Sequence, residues 1–180
     1  MSKQNIQIGV IYGSDSDLPK MLPAFEIFKL FEKEYGIRVA VETKIVSAHR
    51  TPDEVVKYAK SAYSRGLRVI IAAAGGSAHL PGMIAADTAL PVIGVPISSK
   101  PELAALLSIV QMPPGIPVNT MGIDASANAA LAALQILALT DSKLYEALLK
   151  YKQSLADTVA KKNAELERLG AEAYVKKNLK

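Results

Sequence analysis

Short apolar runs alternate with segments of helical periodicity along this chain, and that alternation constrains the fold more than any other feature. Most of the runs are rich in Val, Ile and Ala, as is typical of strands buried on both faces of a parallel sheet. Helices between such strands cover the two faces of the sheet. The sequence therefore predicts an α/β fold, a three-layer α/β/α sandwich with a parallel sheet. The predicted strands span residues 6–12, 38–46, 68–74, 91–96 and 117–123, and the predicted helices span 22–34, 52–64, 80–87, 101–111 and 126–139.

The length and composition predict one domain, residues 1–180. Half of the 180 residues are hydrophobic, which is enough for one compact core. We place that core at about residues 6–139, because no repeat or linker divides the chain. A further helix is predicted over 142–169. It is longer than the core requires, and we expect it to pack against another subunit.

The distribution of charge and apolar residues argues against nucleic-acid and membrane partners. Residues 150–180 hold eight Lys and Arg against four Asp and Glu, which accounts for the whole net charge of +4. No nucleic-acid-binding signature accompanies this charge. The apolar run 69–74 is far shorter than the roughly 20 residues of a membrane span, and the first residues lack the apolar segment of a signal peptide. We therefore expect a cytoplasmic protein.

Several kinds of chemistry are excluded by the residues that are missing. The chain has no Cys, so it forms neither disulfides nor zinc–thiolate sites. Its two His residues do not have the spacing of a metal site, and we predict no metal and no cofactor. Walker, GxGxxG and GxSxG motifs are absent, so an NTPase, a dinucleotide enzyme and a Ser-His-Asp hydrolase are not supported.

The first predicted strand ends in small and hydroxyl residues. Gly13 permits close backbone approach, while Ser14 and Ser16 can donate hydrogen bonds to phosphate oxygens. Asp17 precedes the first helix. This loop is suited to binding a phosphate or a ribose, and the alternative is that Ser16 or Asp17 only caps the helix.

The second predicted strand ends in Ser47, Ala48, His49 and Arg50. Arg50 can bind a phosphate with its planar guanidinium, and His49 can transfer protons near neutral pH. An isolated histidine is more often a structural hydrogen-bonding residue. The position of His49 beside Arg50, at the edge of the sheet where ligands bind, favours a functional role.

The third predicted strand leads into a loop with few bulky side chains. Its residues Gly75, Gly76 and Ser77 precede His79 and Leu80. Such a loop lets backbone N–H groups contact a ligand directly, and the alternative is a tight turn in which the glycines only supply positive φ.

Taken in order, the motifs GSDSD, SAHRTP and GGSAHLPGM, followed by LPVIGVP and LSIVQMP, closely resemble class I N5-carboxyaminoimidazole ribonucleotide mutases. The likeness runs over about residues 8–139. It implies a flavodoxin-like sandwich assembled as a homo-octamer, with sites at subunit contacts and the C-terminal helix exchanged between neighbours. It also implies a ribonucleotide substrate in purine biosynthesis.

The resemblance assigns roles to the residues at the three strand ends. His49 should be the general acid and base, and Ser14, Asp17 and Arg50 should hold the ribose phosphate. The rest of the substrate site should be lined by Ser47, Ala48, Gly75, Gly76, Ser77 and Leu80. Three further residues complete the predicted substrate site: Gly13, Ser16 and His79.

Two other functions stay open beside the mutase. Class II enzymes of the same superfamily carboxylate aminoimidazole ribonucleotide directly, but they typically show SAHK and a loop like GRSN, whereas this chain has Arg50 and His79. A non-catalytic ribonucleotide-binding paralogue is the third. The chain departs from the class I pattern at Ser77, at Pro114 and in a shorter connection from residue 98 to 105. By the resemblance, this connection lies near the mouth of the site.

Overall fold

The computed structural model describes residues 7–101 and 103–179. Five parallel strands form one sheet in the order β2-β1-β3-β4-β5, which is the strand order of flavodoxin-like folds. The predicted α/β architecture with a parallel sheet is therefore confirmed. The strands are β1 (Ile8–Tyr12), β2 (Val41–Ile45), β3 (Val69–Ala74), β4 (Val92–Pro96) and β5 (Asn119–Thr120).

Helices cover both faces of this sheet and give the three layers. Ile8, Val10 and Tyr12 of β1 pack with α1 and α5 on one face, while Ile11 packs with α2, α3 and α4 on the other. Every residue of β1, β3 and β4 is buried, as continuous apolar strands of a parallel sheet should be. The helices are α1 (Leu18–Tyr35), α2 (Pro52–Ala62), α3 (Leu80–Ala86), α4 (Ala104–Val110), α5 (Ser126–Ala138), α6 (Ser142–Leu169) and α7 (Ala171–Asn178).

The observed elements differ from the predicted ones mainly at their ends. Helix α1 begins at Leu18 rather than at residue 22, because Pro19 is tolerated in the first turn, where the missing N–H has no helical partner. Strand β5 has only two residues and pairs with β4 alone at the edge of the sheet. Helix α7 was not predicted. It begins after Gly170, whose φ of 74° ends the preceding helix.

Helix α6 coincides with the predicted helix over 142–169 and extends beyond the packed core. Its 28 residues bury only Leu144, Ala147 and Leu148. Leu155 and Val159, further along the helix, are 50% and 66% exposed. The helix therefore presents an apolar face that the other described residues do not cover. Within the described ranges, no helix combines the length and the hydropathy needed to cross a membrane.

Because all five strands are parallel, their carboxyl ends lie at one edge of the sheet. The loops that follow β1, β2, β3 and β4 leave the sheet there. Ligands of open parallel sheets bind at this edge. The fold thus brings the three predicted binding loops together.

Candidate functional site

A cleft of about 440 Å³ opens at the carboxyl edge of the sheet. It contains every residue predicted for the site except Ser77, which is exposed and lies outside the lining. The cleft is lined by Gly13, Ser14, Ser16, Asp17, Ser47, Ala48, His49, Arg50, Ala74, Gly75, Gly76, Ala78, His79, Leu80, Ile97, Ser98 and Ser99.

The loop after β1 is a tight turn held by its own side chains. The backbone N–H of Ser14 donates to Oδ2 of Asp17 over 3.0 Å, and Ser14 Oγ accepts from the N–H of Ser16 over 3.4 Å. These bonds form a capping box on a short 3-10 turn, Asp15–Asp17, immediately before α1. The capping alternative therefore holds in part: Asp17 caps backwards onto Ser14 and makes no side-chain cap to α1.

Asp17 is the buried carboxylate of the site, with 7% of its surface exposed. Burial raises the pKa of Asp17 above its ordinary value, although the N–H donors of Ser14 and Gly13 act in the opposite direction. An ionised carboxylate repels phosphate, so Asp17 is better suited to accept a hydrogen bond from a sugar hydroxyl.

The loop after β2 presents His49 and Arg50 on a rigid turn. Thr51 Oγ1 accepts from the N–H of Ser47 over 2.9 Å, and the N–H of Thr51 donates to the Ser47 carbonyl over 2.9 Å. The Arg50 Nε donates to Ser47 Oγ over 3.4 Å. Within the described part of the chain, no carboxylate forms an ion pair with Arg50. Its charge is therefore available to an anionic ligand.

The loop after β3 turns sharply at Gly76, where φ is 60°. The N–H of Ala78 donates back to the Gly75 carbonyl over 3.1 Å, and α3 then begins at Leu80 with His79 at its N-cap. Gly76 thus supplies the positive φ of a tight turn, as the alternative interpretation required, and both glycines also line the cleft. The two interpretations of this loop are compatible.

His49 and His79 are in direct contact. Nε2 of His49 lies 2.8 Å from Nδ1 of His79, and the two ring planes meet at 68°. A hydrogen bond at this distance needs one ring nitrogen to carry a proton and the other to accept it. The pair can therefore hold and relay a proton, and His79 contacts His49 as well as lining the cleft.

Sequence reasoning missed the fourth wall of the cleft, which is the segment 97–99 after β4. Ile97, Ser98 and Ser99 follow β4, and Ser99 Oγ accepts from the N–H of Gly76 over 3.0 Å. The rule that identified the first three loops, polar residues directly after a buried strand, applies to Ser98 and Ser99 as well.

Together the cleft offers one free guanidinium, several hydroxyl and N–H donors, and a proton-carrying histidine pair among small side chains. Within residues 7–101 and 103–179, no three His, Asp or Glu side chains come together in a group that could hold a metal ion. This arrangement can bind a small phosphorylated molecule and move protons on it.

Comparisons with known proteins agree with this chemistry. A protein of Synechocystis sp. named N5-carboxyaminoimidazole ribonucleotide mutase is 51% identical over 97% of each chain. The phosphoribosylaminoimidazole carboxylase of Schizosaccharomyces pombe is 50% identical over 93% of this chain and 30% of that protein. The crystal structure of Treponema denticola PurE superposes with a TM-score of 0.77 at 26% identity, covering 89% of this chain and 98% of that one.

The family match covers most of the chain. Residues 7–158 match the AIR carboxylase family, and this range includes all four loops of the cleft. Because half of the sequence is shared with a relative along nearly its whole length, the similarity is not limited to the sheet. The chain therefore belongs to the AIR carboxylase family.

Proposed function

We propose that this protein is an N5-carboxyaminoimidazole ribonucleotide mutase of de novo purine biosynthesis. The observation that carries the proposal is the hydrogen-bonded pair of His49 and His79 at the cleft, beside Arg50, which forms no ion pair with any residue that the structure describes. The mutases of Synechocystis sp. and Pyrococcus abyssi, each 51% identical to this chain, support it. The reaction moves a carboxylate from the exocyclic N5 to ring carbon C4.

The reaction needs a proton to be given and later recovered. Protonation of N5 makes it a neutral leaving amine; the bond from N5 to the carboxylate carbon then breaks, its electron pair stays on N5, and carbon dioxide is released. C4 attacks that carbon dioxide, and loss of the C4 proton restores aromaticity. His49 gives the first proton and takes the last, so it returns to its starting state without a cofactor.

The contact between the two histidines suits this role. Within the described ranges, Nδ1 of His49 makes no hydrogen bond and is the ring nitrogen open to a substrate. When His49 is protonated, its Nε2–H donates to Nδ1 of a neutral His79, which stabilises the imidazolium. His79 is thus the partner that stabilises the charge of His49 before the first proton transfer and after the second.

The remaining loops hold the substrate in this scheme. Arg50 and the hydroxyls of Ser14 and Ser16 bind the phosphate, and Asp17 accepts from a ribose hydroxyl. Binding energy from the phosphate fixes the ring while the small fragment migrates, so these contacts contribute to the rate as well as to affinity. The small apolar side chains that retain carbon dioxide and exclude water are Ala48, Ala74, Ala78, Leu80 and Ile97.

Direct carboxylation of aminoimidazole ribonucleotide is the second candidate function. It is favoured by the Schizosaccharomyces pombe relative, a phosphoribosylaminoimidazole carboxylase with 50% identity. Arg50 and His79 instead match the class I motifs. Two assays separate the functions: isomerisation of the synthetic carbamate substrate, and carboxylation of aminoimidazole ribonucleotide with bicarbonate and no ATP. Fast turnover at low bicarbonate supports the carboxylase, and tight binding with no turnover in either assay supports a non-catalytic paralogue.

The decisive variant is His49→Asn. It should bind the nucleotide with near wild-type affinity and lose isomerisation by at least about a hundredfold, as expected for removal of a general acid and base. Tyr63→Phe provides a matched control, since Tyr63 is exposed and lies outside the cleft. Isomerisation at the wild-type rate by His49→Asn would refute the mechanism.

We also propose the quaternary arrangement that the family resemblance implies, a homo-octamer with the C-terminal helix exchanged between neighbouring subunits. In this proposal each chain forms one domain, and the protein is cytoplasmic. The uncovered apolar residues Leu155 and Val159 of α6 support a subunit contact there. Light scattering should give the mass of eight chains, and Leu155→Glu combined with Val159→Glu should reduce it. A monomeric wild type would refute the assembly.

A further inference from the structure

We infer that Asp124 is a positioning residue for the reaction. It fixes the fourth wall of the cleft, the segment 97–99, in place. The inference rests on the proposed mutase function. Asp124 does not line the cleft. Its carboxylate nevertheless reaches the backbone of that wall, because Oδ1 accepts from the N–H of Ser98 over 2.9 Å.

The wall is held to the rest of the site at three points. The N–H of Ile97 donates to the Ala74 carbonyl over 2.9 Å, Ser98 donates to Asp124, and Ser99 Oγ accepts from Gly76 over 3.0 Å. The first contact extends the pairing of β4 with β3. The second and third lie beyond the sheet, so they set where the segment after β4 turns.

Asp124 is itself held in an unusual backbone conformation. Its φ of 56° makes it the one non-glycine residue with positive φ in the described part of the chain. Asp is among the few residues that adopt this conformation at modest cost. Its own N–H donates to the Pro96 carbonyl over 2.9 Å. The backbone and the side chain of Asp124 therefore bracket the end of β4 at Pro96 and Ser98.

The second carboxylate oxygen is anchored from the first helix. Lys20 Nζ donates to Oδ2 of Asp124 over 2.8 Å, and the Lys20 carbonyl accepts from Ser126 Oγ over 2.7 Å. Partial burial acts to raise the pKa of Asp124, but the hydrogen bonds from Lys20 and Ser98 outweigh it and lower the pKa below its ordinary value. The carboxylate is thus charged and held on both oxygens.

A purely stabilising ion pair is a poor explanation for this arrangement. The Lys20 side chain is 49% exposed and that of Asp124 is 26% exposed, and exposed pairs contribute little to stability. What the pair does is orient the carboxylate toward Ser98. The segment that Asp124 holds also contacts the glycine loop, residues 75–78 after β3. Ser99 Oγ accepts from the N–H of Gly76, and a Cβ on Gly75 would lie 3.5 Å from the Ile97 carbonyl.

In the proposed mechanism Ile97 helps to retain carbon dioxide, and Ile97 and Ser99 lie against Gly75 and Gly76 of the loop that follows β3. Displacing this wall should therefore affect retention of the fragment more than nucleotide binding. Escape of carbon dioxide leaves aminoimidazole ribonucleotide, with the proton from His49 on N5. The ratio of this compound to the C4-carboxylated product measures the leak.

The test compares Asp124→Gly with Asp124→Asn. Glycine keeps the positive φ and removes the acceptor, whereas asparagine keeps both an acceptor oxygen for Ser98 and the tolerance of positive φ. Asp124→Gly should lower kcat about tenfold with less than a threefold rise in KM, as expected when a positioning contact is lost. It should also raise the ratio of aminoimidazole ribonucleotide to the C4-carboxylated product. Asp124→Asn should stay within about threefold of wild type, because its amide oxygen can still accept.

Asp87→Gly is a matched control. Asp87 has the same 26% side-chain exposure and also forms an ion pair, with Lys60, but it lies outside the cleft. It should leave kcat and the product ratio unchanged. The positioning role would be overturned if Asp124→Gly lost thermal stability while its kcat and product ratio matched those of wild type.

A second measurement separates this inference from the proposed function. Amide hydrogen exchange at Gly76, which does not contact Asp124, should be at least about fivefold faster in Asp124→Gly than in wild type, because local opening frees the N–H. If wild type turns over no substrate, the mutase function fails while this exchange result still decides the positioning role. Unchanged exchange at Gly76 would overturn the inference.

Discussion

Nε2 of His49 and Nδ1 of His79 lie 2.8 Å apart, although the two residues are on loops that follow different strands. Strand β1 lies between β2 and β3 in the sheet, so the two loops meet above the end of β1. The contact ties the proposed proton shuttle to the glycine loop. A change at either loop therefore alters the position of the acid and base.

Replacing His79 should show how much the proton shuttle depends on its partner. We expect His79→Ala to lower kcat by about a hundredfold with little change in KM, because His49 loses the acceptor that stabilises its protonated form. His79→Asn should retain more activity than the alanine variant, since an amide oxygen can still accept from Nε2 of His49. Steady-state kinetics on the carbamate substrate measure both. Equal kcat values for wild type and His79→Ala would contradict the prediction.

Arg50 should control affinity through the phosphate. Arg50→Met should raise KM by about a hundredfold, as expected for loss of a charge-assisted hydrogen bond to an anion. Arg50→Lys should recover only part of this loss, because an ammonium lacks the planar pair of donors. Titration of the non-isomerising His49→Asn background with substrate gives the dissociation constants directly. The prediction fails if Arg50→Met binds as tightly as its parent.

Asp17 should make stability depend on pH. Burial raises the pKa of Asp17, so the ionised carboxylate disfavours the folded state above that raised pKa and costs nothing below the ordinary pKa of an aspartate. Asp17→Asn should therefore be more stable than wild type near neutral pH, and the difference should shrink as the pH falls through the raised pKa and vanish below the ordinary pKa of an aspartate. Thermal unfolding across this range measures it.

The same variant should bind substrate less tightly, by about tenfold, because an amide is a weaker acceptor for a ribose hydroxyl than a carboxylate. A rise in both stability and affinity, or a stability difference that grows toward acid, would contradict the assignment of Asp17.

The sequence predicted the sheet, most helices and three of the four loops of the site, because continuous apolar strands and the polar residues after them are local signals. The contact between His49 and His79 was not predictable, since it depends on the order of strands in the sheet and on two rotamers. Ser98 and Ser99 carry the same local signal, because they are polar residues that follow the buried strand β4. The anchoring of Ser98 by Asp124 joins residues 26 apart in the chain, and no local pattern marks it.

Gly94 tests whether the position of β4 depends on close packing. A Cβ on Gly94 would lie 2.5 Å from Cγ2 of Ile109 and 2.9 Å from Cγ1 of Val118, so α4 would have to move away from the sheet. Gly94→Ala should lower the free energy of unfolding by about 1–3 kcal/mol, the usual cost of overpacking. Gly122→Ala is the control, because its Cβ would meet only Ala125 at an ordinary 3.7 Å. Urea denaturation gives the free energy of unfolding of both variants. Equal unfolding midpoints would contradict the prediction, because they would mean that α4 moves away from β4 at no cost.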